Sequence, residues 1–203
     1  MSKRSLILIA LVAILGLAAG AGLFWKMGGG AGAGDGAQTA QGDVGGPFQL
    51  VDQDGRPVDE SVLEGQWNIV FFGFTYCPDI CPSTLQAIDV AKQQLGPRGE
   101  DLQTVFISVD PERDTPEQLK TYLSLDAFPD NVIGLTGTPE QIAQVAKAYY
   151  VYYRKSGEGP DYTVDHSTAA YLMDPQGRFN RVLAFGVAPD EMARLIRTAM
   201  QEG

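Results

Sequence analysis

Two cysteines and one histidine are the residues of this chain best suited to thiol or soft-metal chemistry, and the sequence contains no others of either type. Cys77 and Cys81 stand in "FTYCPDICPSTL", Phe74 to Leu85, separated by Pro78, Asp79 and Ile80 and each followed by a proline. Three uses are open to such a pair. A structural disulfide is the common fate of two cysteines in an exported protein, but closing so short a loop removes little chain entropy. A redox dithiol gains from a position at a helix N-terminus, where unpaired N–H groups and the helix dipole stabilise a thiolate. The usual dithiol spacing is two residues, however, and Asp79 sets a negative charge beside this pair. A metal site needs a further ligand, and His166 in "YTVDHSTAAYLMD" can supply it. A lone histidine is more often a surface or core residue, yet two thiolates and an imidazole make a soft three-coordinate set. Thiolates select Cu(I), and the imidazole also suits Cu(II). Structural zinc takes four ligands. The lack of another cysteine or histidine therefore favours copper, although a carboxylate or water would complete a zinc site.

The elements around these residues read as an α/β domain. "FQLVDQDGRPV", Phe48 to Val58, alternates apolar and polar residues about an Asp-Gly turn and predicts a hairpin. "NIVFFGFT", Asn68 to Thr75, is a nearly unbroken apolar run, as expected of a strand covered on both faces. The cysteines follow it directly, and "STLQAIDVAKQQLG" then carries apolar residues at helical spacing up to a glycine stop. "LQTVFISVD", "NVIGL" and the two arms of "STAAYLMDPQGRFNRVLAFG" predict further strands. Helices begin at Thr115 and Thr138, where Thr-Pro-Glu-Gln places a cap, a proline in the first turn and a capping-box glutamine. "PDEMARLIRTAM" closes with a helix acidic in its first turn. Strands alternating with helices imply a parallel sheet covered on both faces, and the late hairpin adds antiparallel strands. In such sheets chemistry gathers where a strand ends and a helix begins, which is where Cys77 and Cys81 lie. Tyr149, Tyr150, Tyr152 and Tyr153 are expected to pack on both sides of an extended segment. Asp110 and Asp114 are expected to serve turns, with Arg113 at the rim. Asp79 and Asp165 are either orienting groups for the ligands or ordinary solvated and turn residues.

The N-terminal part is of another kind. Lys3 and Arg4 precede the uncharged run "SLILIALVAILGLAAGAGLFW", Ser5 to Trp25. Twenty-one helical residues span roughly 31 Å, the thickness of a hydrocarbon core. Residues 1–27 are accordingly expected to form a membrane anchor with its positive end on the cytoplasmic side. A cleaved signal peptide is the alternative. Residues 28–46 hold nine glycines in 19 positions and predict a flexible tether. Residues 47–203 are enough for one well-buried domain. Lys3, Arg4 and Lys26 take three of the 15 basic residues, leaving 12 against all 25 acidic ones. So acidic a chain repels phosphate backbones, which argues against a nucleic-acid partner.

"GPFQLVDQDG", "FFGFTYCPDICP", "FISVDPERDTPEQL", "YYVYYRK" and "YTVDHSTAAYLMD" together resemble the Sco/SenC family of membrane-anchored, thioredoxin-fold copper-binding proteins. The resemblance covers the stretch from Pro47 onward. It implies a thioredoxin-like fold, a central mixed sheet flanked by helices, with the N-terminal hairpin as an extension and an N-terminal transmembrane helix. It implies that Cys77 and Cys81 are the copper thiolates and His166 the copper imidazole, holding Cu(I) or Cu(II). It implies a copper-binding assembly factor that delivers copper to the CuA centre of cytochrome c oxidase, with enzyme activity left open to the alternative. The alternative is a thiol–disulfide oxidoreductase that reduces the CuA cysteines, with Cys77 and Cys81 as the redox-active pair. The implied partners are the CuA-bearing oxidase subunit, a copper donor protein and a thiol reductant. The implied location is the inner membrane, single-pass, with the domain in the periplasm.

Overall fold

A computed structural model of the chain describes residues 44–202. The anchor expected over 1–27, and the tether up to residue 43, lie outside the described residues. Among the described residues no helix is long and apolar enough to cross a membrane. The tether was expected to run to Gly46, but Val44 to Gly46 already belong to the packed domain. The Gly45 N–H donates to the Ala148 carbonyl at 2.9 Å, and Val44 packs against buried residues. Glycine content alone did not reveal that these residues have a partner surface.

Seven strands form one mixed sheet in the order β2-β1-β5-β4-β3-β8-β9. Strands β1 (Gln49–Asp52) and β2 (Pro57–Asp59) are the expected antiparallel hairpin. Strands β3 (Trp67–Gly73), β4 (Leu102–Ser108) and β5 (Ile133–Thr136) run parallel at the centre. Strands β8 (Ala170–Met173) and β9 (Phe179–Leu183) join antiparallel beyond β3. The connecting helices are α1 (Ile80–Leu95), α2 (Pro116–Leu123), α3 (Pro139–Ala148) and α4 (Pro189–Glu202). This is the α/β architecture with a mixed central sheet and flanking helices that the sequence predicts.

The period of two along a strand divides the central residues between two cores. Ile69 and Phe71 of β3 point to one face, where they meet Leu85 and Ile88 of α1, Leu119 of α2 and Ile196 of α4. Val70 and Phe72 point to the other, against Ile142 and Val145 of α3. Both faces of β3 are therefore dry, which explains its unbroken apolar sequence. Both Thr-Pro-Glu-Gln starts cap their helices, but only the second closes a full box. Gln141 bonds back to the Thr138 N–H, whereas the Gln118 side chain donates to Thr75 Oγ1, in the loop before the cysteines.

Two expectations change, and two strands are added that the sequence did not suggest. Helix α1 starts at Ile80, so Cys81 lies inside the first turn. Pro82 is tolerated there because first-turn N–H groups have no intrahelical partner. Strands β6 (Tyr153–Ser156) and β7 (Thr163–His166) form a separate two-stranded sheet, placing His166 at a strand end. The four tyrosines do not line one extended segment. Tyr149 caps α3 and is buried, Tyr150 takes a left-handed backbone with φ 56° and is exposed, and Tyr153 opens β6. The left-handed exit lets the Val151 N–H bond the Ala146 carbonyl at 2.8 Å, as helix ends commonly do.

Candidate metal centre

The loop from Phe74 to Asp79 leaves the carboxyl end of β3 and enters α1. The Cys77 N–H donates to the Phe74 carbonyl at 3.2 Å, and Cys77 Sγ accepts from the Cys81 N–H at 3.4 Å. The Cys77 sulfur thus sits at the N-terminal end of a 16-residue helix, where free N–H groups and the dipole favour negative charge. Cys81 is fully buried in the α1-side core, while Cys77 is half-buried and touches both cores.

Gly73, the last residue of β3, makes room for this arrangement. A Cβ there would stand 2.7 Å from Cys81 Sγ and 2.8 Å from the Phe106 ring. Both neighbours are buried and neither can swing away into solvent. Gly73→Ala is expected to destabilise the fold by about 1–3 kcal/mol through overpacking, read as a lower denaturant midpoint, and to push the Cys81 sulfur from its place.

His166 arrives from β7. Its Nε2 lies 3.7 Å from Cys81 Sγ, and its Nδ1 is 2.8 Å from the Ser167 carbonyl oxygen. A carbonyl only accepts, so Nδ1 carries a proton there, and the ring turns its Nε2 toward the sulfurs. The Phe74 ring meets the imidazole edge-on at 5.7 Å and Phe71 meets it at 6.5 Å, holding its plane. The ligand atoms of Cys77, Cys81 and His166 all lie within 4.8 Å of one another, the one such group among the described residues. Separations of this size suit ligands sharing one ion through bonds of about 2.0–2.3 Å. The donor set is soft and fits copper. The three residues singled out from the sequence are therefore brought together.

The two thiols are electrostatically unequal. Cys77 is held down at about 4, chiefly by the hydrogen bond from the Cys81 thiol. The His166 contact and the backbone N–H groups of Cys81 and Asp79 act in the same direction, against the opposing effect of burial. Cys81 is pushed up by its hydrogen bond to Cys77, by burial and by the Cys77 charge. One thiolate thus stands ready while the other thiol keeps its proton.

Neither carboxylate considered as an orienting group takes that role. Asp79 accepts from Ser83 Oγ at 3.2 Å, and it is its backbone N–H that acts on Cys77. Asp165 pairs with Arg154 across the hairpin at 3.3 Å. The bracing carboxylates come instead from the segment after β4, read from the sequence as plain turn residues. Asp114 is fully buried and accepts from the Thr75 N–H at 3.0 Å, Thr75 Oγ1 at 2.7 Å and Ser108 Oγ at 2.6 Å. Burial raises its pKa, against those hydrogen bonds. It ties the cysteine loop to β4. Asp110 accepts from the Tyr162 hydroxyl at 2.5 Å and from Arg113 Nε at 2.6 Å. The density of Asp, Arg and Thr in "SVDPERDTP" was the available signal, but nothing in it says that the groups face inward.

Cys77, Pro78, Ile80, Val164, His166 and Thr168 border a cleft of about 380 Å³. A larger open depression of about 830 Å³ lies at the opposite end of the sheet, beside Gln66, Lys92 and Gln103. It contains no cysteine or histidine and takes no part in this site.

Comparison with known proteins gives a consistent picture. Residues 36–201 match the family model described as SCO1/SenC. The chain is 48% identical over 150 residues to the mitochondrial protein SCO1 homolog 1 of Arabidopsis thaliana, covering 71% of this chain and 43% of that protein. It is 44% identical over 165 residues to the mitochondrial protein SCO2 of Saccharomyces cerevisiae, covering 78% and 54%. The chain thus spans about half the length of these two relatives. Among solved structures, the copper-bound crystal structure of Arabidopsis thaliana ScoI superposes with a TM-score of 0.74 at 42% identity, covering 79% of this chain and 99% of that one.

Proposed function

Because the chain belongs to the SCO1/SenC family, we propose that it is a copper-binding assembly factor that delivers copper to the CuA centre of cytochrome c oxidase. Cys77, Cys81 and His166 are the ligands in this reading, on a thioredoxin-like scaffold. The observation that carries it is the convergence of two free thiols and an imidazole nitrogen within 4.8 Å at the end of the central strand. The copper in the related Arabidopsis structure supports the choice of metal.

The site's layout suits transfer more than storage. Cys77 and His166 border the cleft, whereas Cys81 is fully buried behind them in the core. An incoming thiolate of the acceptor reaches the ion from the Cys77–His166 side, so ligands exchange one at a time and Cys81 lets go last. Both thiols must be reduced before they hold metal, so a thiol reductant belongs to the cycle. The partners are the CuA-bearing oxidase subunit, a copper donor and that reductant. The uncharged run from Ser5 to Trp25 behind Lys3 and Arg4 supports an inner-membrane anchor with the domain in the periplasm.

Deleting the protein and measuring copper in the assembled oxidase tests the reading. Delivery predicts a copper-poor oxidase that added copper restores. Normal oxidase copper after deletion would contradict it. A defect cured by an added reductant, but not by copper, would point to thiol reduction instead.

A further inference from the structure

Arg113 touches no ligand, yet it contacts both limbs that carry them. Its guanidinium carbon lies 3.6 Å from the centre of the Tyr162 ring and 4.6 Å from that of Tyr76. Tyr76 immediately precedes Cys77, and Tyr162 immediately precedes β7, which ends at His166. The side chain is also tightly bonded. Nε donates to Asp110 Oδ2 at 2.6 Å, and Nη1 donates to the Tyr162 carbonyl at 2.9 Å and the Pro160 carbonyl at 3.4 Å. Its Nη2 is buried and makes no hydrogen bond to the protein. The β6–β7 hairpin shares no backbone ladder with the main sheet. Its position relative to the cysteine loop is set by the short link into β8 and by side-chain contacts, Tyr162 and Val164 packing into the core, and Arg113 bridges to the cysteine loop directly. A flat guanidinium can stack between two rings while its edge binds carbonyls and a carboxylate, which an ammonium cannot reproduce.

We propose that Arg113 is a positioning residue of the metal centre, locking the β6–β7 hairpin to the cysteine loop and so fixing His166 Nε2 opposite the two sulfurs. The proposal rests on the copper-site reading above. It says that the effect of Arg113 on Cu(II) binding passes chiefly through His166.

A double-mutant cycle on the full, reduced chain tests this, using Cu(II) affinity by competition and the nitrogen hyperfine pattern of the bound Cu(II) as readouts. Arg113→Ala is expected to weaken Cu(II) binding about 10- to 100-fold, the usual effect of losing a group that orients a ligand, and to erase the imidazole pattern. In a His166→Ala background the same change is expected to have little further effect, about twofold or less, because the two residues share one function. Equal losses in both backgrounds would assign Arg113 to general folding and overturn the proposal, as would an unaltered affinity and spectrum in Arg113→Ala. If Arg113→Ala fails to fold, Arg113→Lys takes its place, keeping the charge but not the fork. It is expected to lose the imidazole pattern, and a native spectrum and affinity in that variant would overturn the proposal. A His166→Ala chain that binds Cu(II) as the native chain does would instead overturn the ligand reading on which the proposal rests.

Discussion

Cys77→Ala and Cys81→Ala are each expected to lose copper affinity by more than the about 100-fold that changes behind the ligands typically cost. Each removes one of two thiolates from a three-member set. For Cu(I), which thiolates select, the loss of a sulfur should be the gravest of the single changes. His166→Ala should spare more Cu(I) affinity than either cysteine change, because both sulfurs remain, and should cost more in Cu(II), for which the imidazole matters. Cu(I) and Cu(II) competition titrations on the three variants read out this order. Cysteine variants that bind either ion as the native chain does would show that the metal sits elsewhere.

The second large effect is kinetic and needs no metal. With its pKa held at about 4, Cys77 in the reduced, metal-free chain is almost wholly thiolate at pH 6. An ordinary cysteine, with a pKa near 8.5, is less than about 1% ionised there. Since the thiolate is the reacting form, the rate of Cys77 alkylation by iodoacetamide should stay nearly level from pH 8 down to about 5. It should fall by half near pH 4, as protons return to the sulfur. The sign follows from the cause. The hydrogen bond from the Cys81 thiol stabilises the ionised form, so Cys81→Ala should move the profile up toward the ordinary range. A rate that rises about tenfold per pH unit between 6 and 8, the behaviour of an unperturbed thiol, would show that the native Cys77 gains nothing from its surroundings. Cys81 itself, buried and pushed upward, should resist the reagent throughout.

Much of this was legible in the chain, for reasons that differ from element to element. Strand β3 could be read because burial on both faces leaves no polar position in its centre, from Ile69 to Phe72. The starts of α2 and α3 could be read because a threonine cap followed by proline is a local, chemical signal. The convergence of Cys77, Cys81 and His166 could be anticipated because the sequence holds so few soft donors. What could not be read were relations between distant segments. Nothing in "TVDH" says that its strand pairs with Tyr153–Ser156 rather than with the main sheet. Nothing in Asp114 says that it will be wholly buried against Thr75, 39 residues away, instead of ending a turn. Helix α1 began earlier than its apolar periodicity suggested because Ile80 to Ser83 are held by first-turn geometry, as in the Ser83 N–H bond to the Asp79 carbonyl at 3.0 Å. That shift has a functional consequence: it puts the Cys81 N–H where it can donate to Cys77 Sγ.

Asp110, Arg113 and Asp114 show the same limit from the side of function. Each has a bland local reading, and each takes part in the hydrogen-bond framework next to the cysteine loop and the β6–β7 hairpin. A charged residue beside a turn becomes a structural brace only when the fold brings it a buried partner. Here the partners are Tyr162, Thr75 and Ser108.

X-ray absorption at the copper edge of the loaded full chain tests the central claim most directly. A coordination sphere of two sulfurs and one imidazole nitrogen is the predicted result, with only the nitrogen lost in His166→Ala. A sphere built from nitrogen and oxygen alone, or one identical in the native chain and in His166→Ala, would contradict it.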